Sequence, residues 1–207
     1  MIEKQYGIIG KPLSHSLSPI LHRHWFKKNN LKANYSLIEI EKKQIKDIIN
    51  RIKTKELHGI NVTVPYKQDV IPFIDLIIND AKETSSINTI YLNDENKIVG
   101  ENTDVYGFEH SFINKLNNED IVKKNILILG AGGVTPSLIY ALKKKKIEKI
   151  FISNRTLQKA ENIKEKFPLI KVIAWEKIFE RSEEMDVIIN ATSLGMKNGS
   201  DFEMLIQ

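Results

Sequence analysis

Cysteine is absent from all 207 residues, which excludes disulfides, thiolate nucleophiles and sulfur-ligated zinc or iron. Long hydrophobic runs are absent too. No uninterrupted apolar stretch reaches the length that spans a bilayer, and the amino terminus, MIEKQYGIIGKPLSHS, lacks the extended apolar core of an export signal. A cytoplasmic protein without membrane contact is therefore expected. Charge of one sign forms no footprint. Lys and Arg number 31 against 26 Asp and Glu, a net +5, but lysines alternate with acidic residues along most of the chain, so no nucleic-acid partner is expected. The one dense basic run, residues 143–146, follows the apolar stretch SLIYAL. It reads as the solvated carboxyl end of a helix, where cations complement the dipole. A metal-binding pattern is not legible either. His22 and His24 stand two apart, which on a helix points them to different sides, and no His-Glu-x-x-His pattern occurs. No metal is assigned.

What is present reads as two α/β halves. With 42% hydrophobic residues, the chain can bury a substantial core and sits between one large domain and two small ones. Two are expected. In the first half YGIIG (6–10), NYSLIEI (34–40), GINVTV (59–64) and INTIYL (87–92) read as strands. Ser18 and Pro19 form a helix start, with a hydroxyl cap before proline at the first position. Ile45, Ile48, Ile49 and Ile52 recur at helical spacing, the mark of a core-facing helix. Strands separated by such helices predict a mixed, mainly parallel sheet.

Residues 106–125 carry a helical pattern that loses its apolar periodicity near Asn117 and Asn118, and the domain junction is placed there, giving 1–118 and 119–207. The second series runs NILILG, PSLIYALKK, KIFIS, TLQKAENIKEKF, KVIA, a short helix near Trp175, then DVIINA. This is βαβαβαβ, the order of a doubly wound nucleotide-binding sheet. Such a domain commonly has about six strands, so the Rossmann-like sheet is expected to be incomplete at its carboxyl end.

In ILILGAGGVTPS, Gly130, Gly132 and Gly133 stand between a strand and a helix. Glycine permits a tight turn and close backbone approach to a pyrophosphate, whose charge the helix amino terminus accepts. The match to the dinucleotide fingerprint is partial, because Thr135 holds the third glycine position. The next strand ends in Ser153, Asn154, Arg155 and Thr156. A carboxylate commonly found near this point binds a ribose 2′-hydroxyl, whereas a guanidinium pairs with a 2′-phosphate. Arg155 therefore favours NADP(H) over NAD(H), with a surface arginine beside a capping Thr156 as the plain alternative.

Polar groups also collect at strand ends of the first half. PLSHSLSP brings three hydroxyls around His15 before a helix; Asn61 and Thr63 lie in NVTV, Asn88 and Thr89 in INT, and Asn102, Thr103 and Asp104 in GENTD. Each is explicable alone as turn or cap chemistry. His15 and His58 sit beside these motifs, where they shape the pocket or satisfy local backbone groups.

Together, YGIIGKPLSHSLSP, NVTVPYK, INT, GENTD, LGAGG, SNRT and INATSLGM, in this order over essentially the whole chain, resemble the shikimate dehydrogenase family. The resemblance implies an amino-terminal α/β substrate domain, a Rossmann-like NADP-binding domain, and reversible NADPH-dependent reduction of 3-dehydroshikimate to shikimate in chorismate and aromatic amino acid biosynthesis. It implies that Ser16 and Ser18 hold the substrate carboxylate and that Asn61, Thr63, Asn88 and Asp104 bind ring hydroxyls. Lys67 and Asp104 match the family's catalytic pair. Gly130, Ala131, Gly132 and Gly133 would meet the pyrophosphate, Asn154, Arg155 and Thr156 the 2′-phosphate side, and Asn190, Ala191, Thr192 and Met196 the nicotinamide side. A small-molecule substrate is the implied partner, with the protein a monomer or homodimer. Two positions depart from the pattern, Val105 where glycine is frequent and Thr135-Pro136 after the glycine loop. A quinate/shikimate paralogue and a noncatalytic ligand-binding module are the competing expectations. The family's further carboxyl-terminal stretch completes the cofactor sheet, so these 207 residues alone are expected to be poorly soluble or inactive.

Overall fold

Strand β1 (Lys4–Gly10) lies between β2 (Ala33–Glu39) and β3 (Gly59–Val62), both parallel to it, in the computed structural model, which describes residues 3–115 and 121–195. The sheet continues through β5 (Thr89–Leu92), antiparallel to β3, and β6 (Ile98–Glu101), antiparallel to β5. A two-residue strand, β4 (Leu76–Ile77), closes the edge parallel to β6. The expected mixed, mainly parallel sheet is thus present, with two short strands beyond the four expected. Strands β4 and β6 are brief, and Gly100 sits in the middle of a β6 that packs tightly: a Cβ there would lie 2.7 Å from Ile87 Cδ1.

The two faces of this sheet bury different sets of side chains. Helix α2 (Ile45–Lys53) places Ile45, Ile48, Ile49 and Ile52 against Ile9, Ile60, Val62 and Ile90, as their spacing predicts. Each such burial stabilises by about 1.5–3 kcal/mol relative to exposure. Ile8, Leu13 and Tyr35 form a smaller cluster with Phe26 of α1 (Ser18–Lys28). The start of α1 corrects the expected cap. Leu17 is the N-cap, Ser18 already belongs to the first turn, and the Ser18 N–H donates to Ser16 Oγ at 3.3 Å. Ser16 does locally what was expected of Ser18. A short helix, α3 (Asp80–Thr84), precedes β5.

The chain divides into two compact units, Met1–Thr103 and Asp104–Gln207, which places the junction before the helix rather than at residue 118. The cause is packing. Helix α4 (Asp104–Ser111) and the 3-10 turn after it contribute Val105 and Ile113 to the second unit's core, beside Ile126, Ile128, Ile139 and Leu142. In that unit β7 (Ile126–Leu129), β8 (Ile150–Ser153), β9 (Lys171–Val172) and β10 (Val187–Asn190) are all parallel, in the order β10-β7-β8-β9. Helices α5 (Thr135–Lys144), α6 (Leu157–Lys166) and α7 (Ile178–Arg181) connect them. The βαβαβαβ series read from the sequence is found, whereas the helical pattern over 106–125 forms a helix only to Ser111 with a 3-10 turn after it, and its residues 116–120 lie outside the described residues. Among the described residues no helix is long and apolar enough to cross a membrane.

Candidate active site

Asn61, on β3, is the hub of the first unit's polar residues. Its Oδ1 accepts the Tyr35 O–H at 2.6 Å, and its Nδ2 donates to the Asn88 carbonyl and to Thr89 Oγ1, each at 3.2 Å. Thr89 Oγ1 donates onward to Asn88 Oδ1 at 3.1 Å, which also accepts the Thr103 N–H at 3.0 Å. Asn88 Nδ2 donates to Thr103 Oγ1 at 3.0 Å. Asn102, almost fully buried, ties the same turn down through Nδ2 donation to the Ser86 carbonyl at 2.8 Å. Asp104 therefore opens α4 directly after a backbone position held by Asn88.

Lys67 follows a tight turn in which the Tyr66 N–H donates to the Thr63 carbonyl at 2.9 Å, and its own carbonyl accepts the Ile87 N–H at 2.9 Å. Tyr66 anchors the turn by donating from its phenol to the Ile40 carbonyl at 2.7 Å. Lys67 is only 8% exposed, unusual for a residue that is almost never fully buried unless paired. Thr63, one residue beyond β3, donates its N–H to the Ile9 carbonyl at 2.9 Å. Gly10 admits this close approach, since a Cβ there would stand 2.5 Å from Thr63 Cγ2. Ser16 and Ser18 are half-buried at the start of α1.

Tyr35 is the residue that sequence reasoning passed over, because a tyrosine in a strand ordinarily signals core. It is 2% exposed. Burial pushes its phenol pKa well above the ordinary value, opposed weakly by Ser18, so the group stays protonated and donates. His22 stacks on it with centroids 4.1 Å apart and planes 2° from parallel, and burial lowers the imidazole pKa. A cavity of about 310 Å3 reaches Tyr35, Asn61 and Thr89, with His22 and His58 in its wall. His58 satisfies a local backbone group, its Nδ1 accepting the Gln5 N–H at 3.2 Å.

In the second unit the glycine loop stands between β7 and α5. Gly130 has φ +108, and a Cβ there would lie 2.8 Å from the Ala191 carbonyl oxygen. Its N–H donates to the Ser153 carbonyl at 2.8 Å. Thr135, the departure from the fingerprint, is fully buried and donates Oγ1–H to the Gly130 carbonyl at 3.0 Å, so the hydroxyl braces the turn. Asn154 clamps the loop from the next strand: its Oδ1 accepts the Ala131 N–H at 3.1 Å, and its Nδ2 donates to the Thr156 carbonyl at 2.9 Å. Thr156 is the N-cap of α6, without a side-chain cap bond.

A cleft of about 190 Å3 is bordered by Gly130, Gly132, Asn154, Arg155, Lys159 and Thr192, with Trp175 at its side. A Cβ at Gly132 would meet no protein atom within 4 Å, so the backbone there faces open space. Arg155 is exposed. Lys159 adds a second cation that sequence reasoning missed; its position in the first turn of a lysine-rich helix carries no distinguishing signal. Beyond β10, Asn190 Oδ1 accepts the Thr192 N–H at 2.9 Å while Nδ2 donates to the Leu194 carbonyl at 3.0 Å, and the Ala191 N–H donates to the Leu129 carbonyl at 2.8 Å. Met196 lies outside the described residues.

A parallel sheet in the order β10-β7-β8-β9, with a glycine turn after its first strand and an Asn-Arg pair at the end of the next, is that of an α/β protein of the dinucleotide-binding class. The model of the shikimate dehydrogenase substrate binding domain matches residues 8–90, and that of shikimate / quinate 5-dehydrogenase matches residues 113–196. The shikimate dehydrogenase (NADP(+)) of Pelagibacter ubique is 43% identical over 206 residues, covering 100% of this chain and 75% of the relative. That of Clostridium beijerinckii is 41% identical over 192 residues, covering 92% of this chain and 68% of its own length. The crystal structure of shikimate dehydrogenase from Aquifex aeolicus superposes with a TM-score of 0.83 at 37% identity, over 96% of this chain and 73% of that one. The chain belongs to the shikimate dehydrogenase family.

Proposed function

We propose that this protein catalyses the reversible NADPH-dependent reduction of 3-dehydroshikimate to shikimate, with residues of the first unit and Asp104 holding the ring acid and residues around the glycine loop of the second holding the dinucleotide. The observation that carries this reading is a lysine buried to 8% exposure next to a hydrogen-bonded set of asparagine and threonine side chains, in a chain of this family. The second-unit cleft fits the cofactor: open space over Gly132 suits a pyrophosphate, and Arg155 and Lys159 offer cations for a 2′-phosphate. NADPH, when bound, supplies the hydride.

The chain's own residues bind, orient and move the proton. Reduction of a ketone builds negative charge on its oxygen, and a positioned ammonium both stabilises that charge and delivers a proton to it. Lys67 takes this role. Asp104 accepts a hydrogen bond from a ring hydroxyl. Ser16 and Ser18 meet the substrate carboxylate with neutral hydroxyls, and Asn61, Thr63 and Asn88 meet ring hydroxyls. Gly130, Ala131, Gly132 and Gly133 face the pyrophosphate, Asn154, Arg155 and Thr156 the adenosine phosphate, and Asn190, Ala191 and Thr192 the nicotinamide side.

Steady-state oxidation of shikimate and quinate by the purified protein, carrying the carboxyl-terminal stretch that completes the family's cofactor sheet, with NADP+ and with NAD+, tests the reading. Turnover of shikimate with NADP+ at the highest kcat/KM of the four pairings is expected. Preference for quinate or for NAD+, or no turnover of any pairing, would contradict it.

A further inference from the structure

From Tyr35 as far as Asn88 one series of side-chain hydrogen bonds runs in one sense, and Thr103 closes it by both accepting from Asn88 Nδ2 and donating to Asn88 Oδ1. Tyr35 donates to Asn61 Oδ1, Asn61 Nδ2 donates to Thr89 Oγ1, Thr89 donates to Asn88 Oδ1, and Asn88 Nδ2 donates to Thr103 Oγ1. The series begins at Tyr35 and ends at the residue preceding Asp104. Series of this kind polarise one another, and each member limits which way its neighbour's amide can face. The decisive amide is that of Asn61. Both hydrogens of its Nδ2 are directed at protein acceptors, the Asn88 carbonyl and Thr89 Oγ1. What remains to meet a ligand is the second lone pair of Oδ1.

We infer that Tyr35 is a positioning residue for the substrate, holding Asn61 so that it presents an acceptor and thereby selects a ring hydroxyl able to donate. This rests on the proposed function. The ring of Tyr35 is well fixed for the task. His22 stacks on one face, Arg23 Nη2 donates to the Tyr35 carbonyl at 2.9 Å, and Ile8 and Leu13 pack around it. A tyrosine serving only as core filler would be replaceable by phenylalanine without effect on ligand selection. A phenol whose O–H reaches a buried acceptor at 2.6 Å would not, because its loss leaves Oδ1 without its donor and lets the amide turn. Asn61 would bind the same hydroxyl in the ground and transition states, so the loss falls on KM rather than on kcat.

Tyr35→Phe is expected to raise KM for shikimate about tenfold with kcat nearly unchanged. It should also weaken discrimination against one of the monodeoxy shikimates, the one lacking the hydroxyl that donates to Asn61. Asn61→Ala should raise KM by itself, and adding Tyr35→Phe to it should change little more, since both act through one amide. The wild-type protein offers a readout that needs no variant: the Asn61 side-chain amide protons, engaged by Asn88 and Thr89, should exchange slowly with solvent with or without shikimate. A Tyr35→Phe protein that melts earlier but keeps its KM and its discrimination, fully additive effects in the double variant, or fast exchange of the Asn61 amide would each overturn this role. Failure of the wild type to oxidise shikimate would instead tell against the proposed function.

Discussion

Tyr35 and His22 share a stacked, buried contact but respond to pH in opposite directions. Burial raises the folded pKa of Tyr35 above its ordinary 10.0, so the unfolded chain releases its phenol proton first. The stability that Tyr35 contributes is complete below pH 10 and is lost as pH rises from there. For one such group the slope approaches about 1.4 kcal/mol per pH unit. Burial lowers the folded pKa of His22 below 6.5, so its contribution is present above that value and lost as pH falls through the folded pKa. Denaturant unfolding of the wild type from pH 9 to pH 11.5 should therefore show a falling limb, and Tyr35→Phe should remove part of it. Identical limbs in the two proteins would mean that the phenol titrates alike folded and unfolded. None of this was legible in the sequence. A tyrosine on a strand carries no mark of its cross-strand partner, and Asn61 lies 26 positions further along the chain.

At the scale of elements, the strand-turn-helix unit from β7 to α5 was legible because its constraints are local. A four-residue apolar strand, a glycine turn and proline in the first helical turn follow one another in the chain. The reason for each glycine required the fold. Gly130 answers two demands, a positive φ and passage beneath the Ala191 carbonyl at the end of β10. The second comes from a residue 61 positions on, which no local pattern reports. Gly130→Ala is expected to strain the backbone by about 1–3 kcal/mol and to displace the end of β10. Measured by calorimetry, the variant should bind NADP+ at least about tenfold more weakly, the equivalent of 1.4 kcal/mol. Unchanged NADP+ affinity would show that the turn is not what shapes the cleft. Thr135 illustrates the converse. It reads as a defect in the fingerprint, yet its hydroxyl bonds to the Gly130 carbonyl and fills the place with a brace.

For the whole molecule, the division into two α/β units follows from two separate apolar patterns, the isoleucines of α2 and the continuous apolar runs of the parallel strands. The junction was less legible. Periodicity fades near Asn117 and Asn118, but the chain changes core where Val105 leaves the first unit's packing for the second's, and a single buried valine in a helix of weak amphipathicity does not announce which core it joins. The candidate site residues were recognisable as a set of ordered motifs rather than by any one residue's chemistry. Asn61, Asn88 and Thr103 each read alone as turn or cap residues; the fold reveals them as one hydrogen-bonded series. Lys67, 8% exposed, adjoins that series through its backbone, its carbonyl accepting the N–H of Ile87, the residue before Asn88.

Lys67→Met keeps the volume and removes the charge, so it tests the proton-donor role with little disturbance of packing. NADP+-linked oxidation of shikimate by this variant is predicted to lose about 10²–10⁴-fold in kcat with a much smaller change in KM. A kcat equal to that of the wild type would contradict the account.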